Sequence, residues 1–150
     1  VARIDKASTF NEGFATTEYL SSALIDMKLH LAGDTPIDPD AFEKETLATL
    51  GMPKELVMRH RTPQFGHVFS GDHYAAGYYS YLWADAFTAD AVEAFEESGS
   101  MWDRQTADRL MEHVLTVGNT IDPLDGYRAF RGRDVDTKAL MRAKGFPVVE

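Results

Sequence analysis

The chain has 150 residues, a length that suits one domain with a sizeable buried core. Hydrophobic residues make up 44% and charged residues 26%, an ordinary composition for a globular protein. The net charge of −9 argues against a nucleic-acid partner, and the absence of cysteine excludes disulfides and thiolate metal sites. No apolar run approaches the roughly 20 residues of a membrane span, so no membrane partner is expected.

The first part of the chain is predicted to form two helices. One is expected over residues 8–32, capped by Ser8 or Thr9, and a second begins at the Asp38-Pro39 pair. Their apolar residues recur at helical spacing, which predicts a buried side for each helix. These residues are Phe14, Tyr19, Leu20, Ala23, Leu24, Met27 and Leu31 in the first helix, and Phe42, Leu47 and Leu50 in the second.

The rest of the chain is predicted to hold one long loop and further helices. Residues 58–73 are punctuated by proline and glycine, and an irregular segment of this length is more often functional than idle. Asp103 and Asp122 have the character of N-caps. The further helices are expected over residues 74–97, 103–117, 122–130 and 136–143. No strand is expected, so the predicted fold class is all-α and multi-helical.

Four of the six tyrosines lie within residues 74–81, directly after a Gly71-Asp72 turn. In a helix, Tyr74, Tyr78 and Tyr81 share one face because their spacing is i, i+4 and i+7. Phenol hydroxyls beside a flexible turn can donate hydrogen bonds to a substrate carbonyl. The alternative is that the tyrosines form an aromatic stripe in the core.

The histidines and arginines leave several interpretations open. His67 is a candidate proton donor, metal ligand or core histidine, and no pair of histidines has the spacing of a helical zinc site. Arg59 and Arg61 are either solvated charge or an anchor for a peptide carboxylate, which arginine binds bidentately. A second arginine cluster is interpreted as structural. Its members are Arg128, Arg131 and Arg133.

Several segments, in the same order, resemble the C-terminal part of the peptidyl-dipeptidases, zinc peptidases of the thimet oligopeptidase and oligopeptidase A family. They are TFNEGFATTEYL (9–20), MRHR (58–61), HVFSGD (67–72), YAAGYYSYLW (74–83), FEE (95–97) and YRAFRGR (127–133). The chain departs from the pattern at Gln64 and His73, where a histidine and a glycine are expected. It begins with neither an initiator methionine nor a signal peptide, so it is expected to be part of a longer protein; the alternative is a processed N-terminus.

The resemblance implies a two-lobed helical metallopeptidase with a deep channel, of which residues 1–150 are a C-terminal catalytic-domain segment. In this family zinc is held by an H-E-x-x-H motif and a further glutamate, and none of these is present here. The resemblance therefore implies zinc in the full-length parent and no metal ligands in this segment. The localisation it implies is cytoplasmic, with a periplasmic one left open.

The resemblance also assigns roles to individual residues. Tyr81 is expected to hydrogen-bond the oxyanion of the tetrahedral intermediate, Tyr74 to close over the substrate, and His67 to bind the substrate backbone or assist the same charge. The remaining expected substrate-binding residues are Tyr78, Gly71, Asp72, Arg59 and Arg61.

The leading hypothesis is that this segment is the substrate-binding wall of a peptidyl-dipeptidase, and that it is inactive alone. Its expected partners are an oligopeptide substrate and the missing N-terminal part of the same polypeptide, and the segment is expected to self-associate through an exposed apolar face. One alternative is a non-catalytic helical module that binds peptides. Another is a structural helical domain, in which Tyr81→Phe would harm stability rather than activity.

Overall fold

The computed structural model describes residues 2–148, and within that range it contains helices and turns but no strand. The predicted all-α fold class is therefore confirmed. The helices are α1 (Ala2–Ser8), α2 (Glu12–Leu31), α3 (Pro39–Thr49), α4 (Gly66–Phe69), α5 (Ser80–Glu97), α6 (Arg104–Leu110), α7 (Pro123–Arg131) and α8 (Thr137–Ala143). No helix in the described part of the chain combines the length and apolar character needed to cross a membrane.

The chain divides into two compact units, Val1–Tyr81 and Leu82–Glu150. In the first unit, apolar side chains from α2, α4 and the preceding loop are buried. Polar side chains are buried beside them, and each of these polar residues has a hydrogen-bond partner. The buried apolar residues of this unit are Ala23, Ile25, Met58, Phe65 and Val68, and the buried polar ones are Ser21, Ser22, Asp26, Glu43, Thr46 and Thr62.

The core of the second unit lies between α5 and α7. Ala94, Tyr127 and Phe130 are buried there, and partly buried apolar residues of α5, α6 and the following turn contact them. Phe87 meets the Tyr127 ring edge-on, with 4.6 Å between the ring centroids. This geometry is one that aromatic pairs prefer.

Arginines in this second unit surround a buried carboxylate. Asp90 is completely buried and accepts hydrogen bonds from Arg133 Nη2 at 2.6 Å, from the Tyr127 hydroxyl at 2.7 Å and from Arg131 Nε at 3.2 Å. Arg128 instead pairs with Asp134 at 2.6 Å. The prediction that this arginine cluster is structural is confirmed, although the partner carboxylates, more than the helix dipole, account for it.

The helix predicted over residues 8–32 is present as α2, but it begins at Glu12 rather than at residue 8. The chain breaks after α1 and restarts at α2, and Asn11 occupies the N-cap position in a left-handed conformation with φ of 61°. Asparagine tolerates this conformation better than most residues. Neither Ser8 nor Thr9 is therefore the N-cap of α2.

The predicted buried sides of the first two helices are also wrong in part. Phe14 is 50% exposed and Leu31 is 75% exposed, whereas Ser22 and Asp26 of the same helix are buried. In α3, likewise, the buried residues are Glu43 and Thr46, while Leu50 is exposed. Asp26 and Glu43 can be buried because each accepts hydrogen bonds from distant backbone N–H groups, which helical spacing does not predict.

The prediction of a helix over residues 74–97 is correct only from Ser80 onwards. Tyr74 ends a short 3₁₀ turn, Asp72–Tyr74, and Ala76 then takes a left-handed conformation with φ of 56°. A left-handed residue cannot continue an α-helix. Tyr74, Tyr78 and Tyr81 consequently do not form one helical face.

The predicted helix starts later in the chain are confirmed. Asp103, Asp122 and Asp136 each cap a helix through a side-chain oxygen that accepts a backbone N–H, as Asp38 does for α3. The helix predicted over residues 103–117 is less regular than expected. α6 ends at Leu110, and the chain then forms a wider π-helical turn, Met111–Leu115.

Candidate functional site

Three tyrosine rings surround the imidazole of His67, and we refer to these four residues as the tyrosine cluster. The centroid of the His67 ring lies 5.0 Å from that of Tyr74, 5.6 Å from that of Tyr78 and 5.9 Å from that of Tyr81. The Tyr81 hydroxyl is 3.4 Å from His67 Nε2. The sequence prediction grouped the three tyrosines on one helix, whereas the structure gathers them around a histidine of α4.

Three side chains of the tyrosine cluster are exposed, and the fourth, Tyr78, is held by packing. Tyr81 is 49% exposed and Tyr74 is 41% exposed, and His67 is exposed as well. Tyr78 is half-buried and packs against Tyr19, with 5.5 Å between the ring centroids. Its edge-on contact with Phe65, at 4.8 Å, fixes it from a second side. The Tyr74 and Tyr81 side chains and the His67 imidazole are thus accessible to a ligand, while packing holds the Tyr78 ring in place.

The predicted turn at Gly71 and Asp72 leads directly into this cluster. Asp72 opens the Asp72–Tyr74 turn, and the His73 ring occupies the space that a side chain at Gly71 would need, since a Cβ added there would lie 2.8 Å from His73 Cε1. The His73 ring lies beside Tyr74, at 4.4 Å between centroids. His73, a departure from the family pattern, therefore contributes an imidazole at the edge of the cluster.

The two arginines predicted to bind a carboxylate already hold carboxylates of this chain. Arg59 Nη2 lies 2.7 Å from Glu18, and Arg61 contacts Asp40 at 2.9 Å and Glu43 at 2.5 Å. These pairs tie the irregular segment to α2 and α3. A peptide carboxylate would have to compete with these acidic groups, so the anchor role of Arg59 and Arg61 stays a prediction.

Asp26 is a buried residue that none of the sequence motifs singles out, and it bonds the backbone between Tyr74 and Tyr81 of the tyrosine cluster. Its carboxylate is 1% exposed and accepts hydrogen bonds from the backbone N–H groups of Ala76 and Tyr78. The available signal was an acidic residue inside the apolar stretch of α2, between Ile25 and Met27. A charged residue in such a place is seldom buried unless it is paired.

The residues present do not fit a zinc site. Among the described histidine, aspartate and glutamate side chains of this cysteine-free chain, no group of three could hold a metal ion. A catalytic zinc needs three protein ligands and an open position. We therefore derive no chemical step through a metal held by residues 2–148.

Comparison with known proteins places the chain in a family. Residues 1–146 match Peptidase family M3. Dipeptidyl carboxypeptidase of Salmonella typhimurium is 35% identical over 147 residues, which cover 95% of this chain and 21% of the relative. Oligopeptidase A of Escherichia coli is 35% identical over 146 residues, covering 93% of this chain and 20% of the relative. Organellar oligopeptidase A of Arabidopsis thaliana is 34% identical over 146 residues, with coverages of 93% and 18%.

The chain therefore belongs to peptidase family M3, and the resemblance identified from the sequence motifs is confirmed. It spans about a fifth of the length of the curated relatives it matches. These relatives carry the names of peptidases.

Proposed function

We propose that this chain forms the substrate-binding and oxyanion-stabilising wall of a zinc-dependent peptidyl-dipeptidase that releases dipeptides from the C-termini of oligopeptides. The observation that carries the proposal is the tyrosine cluster, in which an exposed Tyr81 hydroxyl lies within 3.4 Å of His67 Nε2. Membership in peptidase family M3 supports the reaction class.

The proposed chemistry of the wall is charge stabilisation. When a nucleophile adds to a peptide carbonyl, negative charge develops on the carbonyl oxygen, and a fixed hydrogen-bond donor stabilises that charge more than it stabilises the ground state. A phenol stays neutral at pH 7 and can donate without losing a proton to solvent. We assign this donor role to Tyr81, with His67 beside it as a second group able to donate to the substrate.

The other members of the wall are assigned to binding. Tyr74 is exposed and is proposed to close over the peptide, and Tyr78 supplies the ring against which His67 and Tyr81 pack. Gly71 and Asp72 are proposed to bring the backbone close to the substrate. Activation of the nucleophile is not assigned to any residue described here.

The first prediction concerns Tyr81→Phe in the intact protein that carries this segment, incubated with zinc and a peptide with a free C-terminus. Loss of one oxyanion donor is expected to lower kcat about 100-fold, equivalent to about 2.7 kcal/mol, with unchanged zinc content. Mass spectrometry of the products would give the rate and the cleavage pattern. Stepwise loss of dipeptides is expected. Cleavage at internal bonds would instead identify the protein as an endo-acting oligopeptidase and contradict the peptidyl-dipeptidase assignment.

Tyr79→Phe is the matched control for this measurement. Tyr79 is 46% exposed, nearly the same as Tyr81, but its ring is not among those around His67. Its hydroxyl is therefore expected to be dispensable. Equal rates for wild type and Tyr81→Phe would contradict the oxyanion role and leave the cluster as packing.

A further inference from the structure

We infer that Asp26 is the positioning residue of the tyrosine cluster, an inference that rests on the function proposed above. Its carboxylate accepts two backbone hydrogen bonds from the segment that joins Tyr74 to α5. Oδ1 accepts from Ala76 N–H at 3.1 Å, and Oδ2 accepts from Tyr78 N–H at 3.0 Å. One buried side chain on α2 thus fixes the backbone at two points between Tyr74 and Tyr81.

The conformation that Asp26 stabilises is one that the segment does not favour by itself. Ala76 has φ of 56°, a region in which the Cβ of an L-residue meets the neighbouring carbonyl oxygen. Unfavourable backbone of this kind persists only where its surroundings fix it. The hydrogen bond from Ala76 N–H to Asp26 is such a constraint. With Ala76 held in this conformation the chain cannot be helical there, and α5 begins only at Ser80.

The same helix also holds the other side of Tyr78. The Tyr19 hydroxyl donates to the Tyr78 carbonyl oxygen at 2.6 Å, so α2 binds both the N–H and the C=O of one residue. The Tyr78 ring in turn contacts His67 at 5.6 Å and Tyr81 at 5.4 Å between centroids. Displacement of Tyr78 would therefore move the imidazole and the phenol to which the chemistry is assigned.

The need for two acceptors explains why a carboxylate is required. An asparagine of the same size has one acceptor oxygen and one NH₂ donor, so one of the two backbone N–H groups would face a second donor. His30 Nδ1 lies 2.9 Å from Asp26 Oδ1 and is hydrogen-bonded to the backbone carbonyl oxygen of Asp26 at the same distance. Asp26→Asn therefore disturbs the cluster without changing the volume of the core.

The test is a double-mutant cycle in the intact enzyme, with kcat and KM measured separately for wild type, Asp26→Asn, Tyr81→Phe and the double variant. Misplacement of a reacting group by about 1 Å can cost about 100-fold, so Asp26→Asn is expected to lower kcat about 10- to 100-fold with KM little changed. In the Tyr81→Phe background the same substitution is expected to lower kcat by a smaller factor than in the wild-type background, because one of the groups it positions has already lost its hydroxyl.

Ser22→Ala is the control for burial on α2. Ser22 is 2% exposed, lies one turn before Asp26, and its hydroxyl donates to the carbonyl oxygen of Glu18 in the same helix. The Ser22→Ala enzyme is expected to have the same kcat as wild type. Should Asp26→Asn fail to fold, Tyr19→Phe replaces it in the cycle, since it removes one hydroxyl and keeps the ring packing.

The outcomes separate the two proposals. Suppose that Tyr81→Phe lowers kcat, so that the proposed function stands. The positioning role is then overturned if Asp26→Asn, or Tyr19→Phe in its place, lowers kcat by the same factor in both backgrounds. It is also overturned if that substitution lowers kcat in neither background. If Tyr81→Phe reacts like wild type, the proposed function fails and the positioning role fails with it. Non-additive losses, with Ser22→Ala unaffected, would establish Asp26 as the positioning residue.

Discussion

Asp90 is a residue whose charge state is coupled to the stability of the second unit. Burial by itself would raise the pKa of this carboxyl, but hydrogen bonds from Arg133, Tyr127 and the backbone of Asp136, together with the charge of Arg131, hold the pKa below its usual range. The reciprocal effect falls on Tyr127, whose pKa is raised by burial and by the Asp90 carboxylate. Asp90 is therefore ionised in the folded protein at neutral pH.

A prediction about pH follows for the free energy of unfolding. Because the pKa of Asp90 is lower in the folded than in the unfolded state, its contribution is complete above the usual value of 3.8 and is lost as pH falls from there through the folded pKa. Urea unfolding of the full chain between pH 7 and pH 3 is expected to show a steeper acid loss in wild type than in Asp90→Asn.

Asp90→Asn is also expected to lower the free energy of unfolding by about 3–5 kcal/mol at pH 7, since it leaves Arg131 and Arg133 without their buried carboxylate partner. Asp85→Asn, on the exposed side of the same helix, is the matched control and is expected to keep the acid dependence of wild type. Parallel pH curves for Asp90→Asn and wild type would contradict the assignment.

At the scale of elements, backbone contacts decide where helices lie. α7 approaches the π turn so closely that a Cβ added at Gly126 would lie 2.5 Å from the carbonyl oxygen of His113 and 3.3 Å from Ile121 Cδ1. The obstructing atom is backbone and cannot rotate away. A glycine at this position therefore permits the close contact between α7 and the π turn.

Gly126→Ala is predicted to destabilise the chain by about 1–3 kcal/mol, as overpacking does. Denaturant unfolding monitored by circular dichroism would measure the change. Gly13→Ala in α2 is the control, because nothing lies within 4 Å of the added Cβ, and it is expected to be neutral or stabilising by up to about 1 kcal/mol. Equal stabilities for Gly126→Ala and wild type would show that α7 can shift without cost.

At the scale of the whole molecule, both units expose large apolar side chains. Leu31 in the first unit is 75% exposed, and Trp102 in the second is 92% exposed. Large exposed apolar patches mark surfaces that contact other proteins. Self-association of the segment stays a prediction.

The 150-residue chain alone is predicted to show no peptide hydrolysis when zinc is added, because no group of three potential ligands among its described residues could hold a metal ion. A peptide assay and metal analysis of the purified chain would test this, with the intact enzyme as positive control. Sustained turnover by the chain, with zinc bound at a fixed ratio, would contradict it.

More of the fold than of the candidate site could be predicted from the residues themselves. The all-α class and the caps at Asp38, Asp103, Asp122 and Asp136 follow from signals a few residues long. The candidate site residues were found through family motifs, and the structure gathers His67 with the tyrosines without their lying on one helix. The pairing of Arg59 and Arg61 with acidic residues of α2 and α3 had no local signal.

The sequence by itself determined the local features of this protein, because a capping aspartate, a proline and the apolar spacing act within one or two turns of the chain. Tertiary structure alone decided that α5 begins at Ser80. The bonds responsible join Asp26 to Ala76 and Tyr78, which lie 50 and 52 residues further along the chain. No propensity over a short window contains such contacts, because a buried carboxylate can satisfy distant N–H groups only after the fold has brought them together.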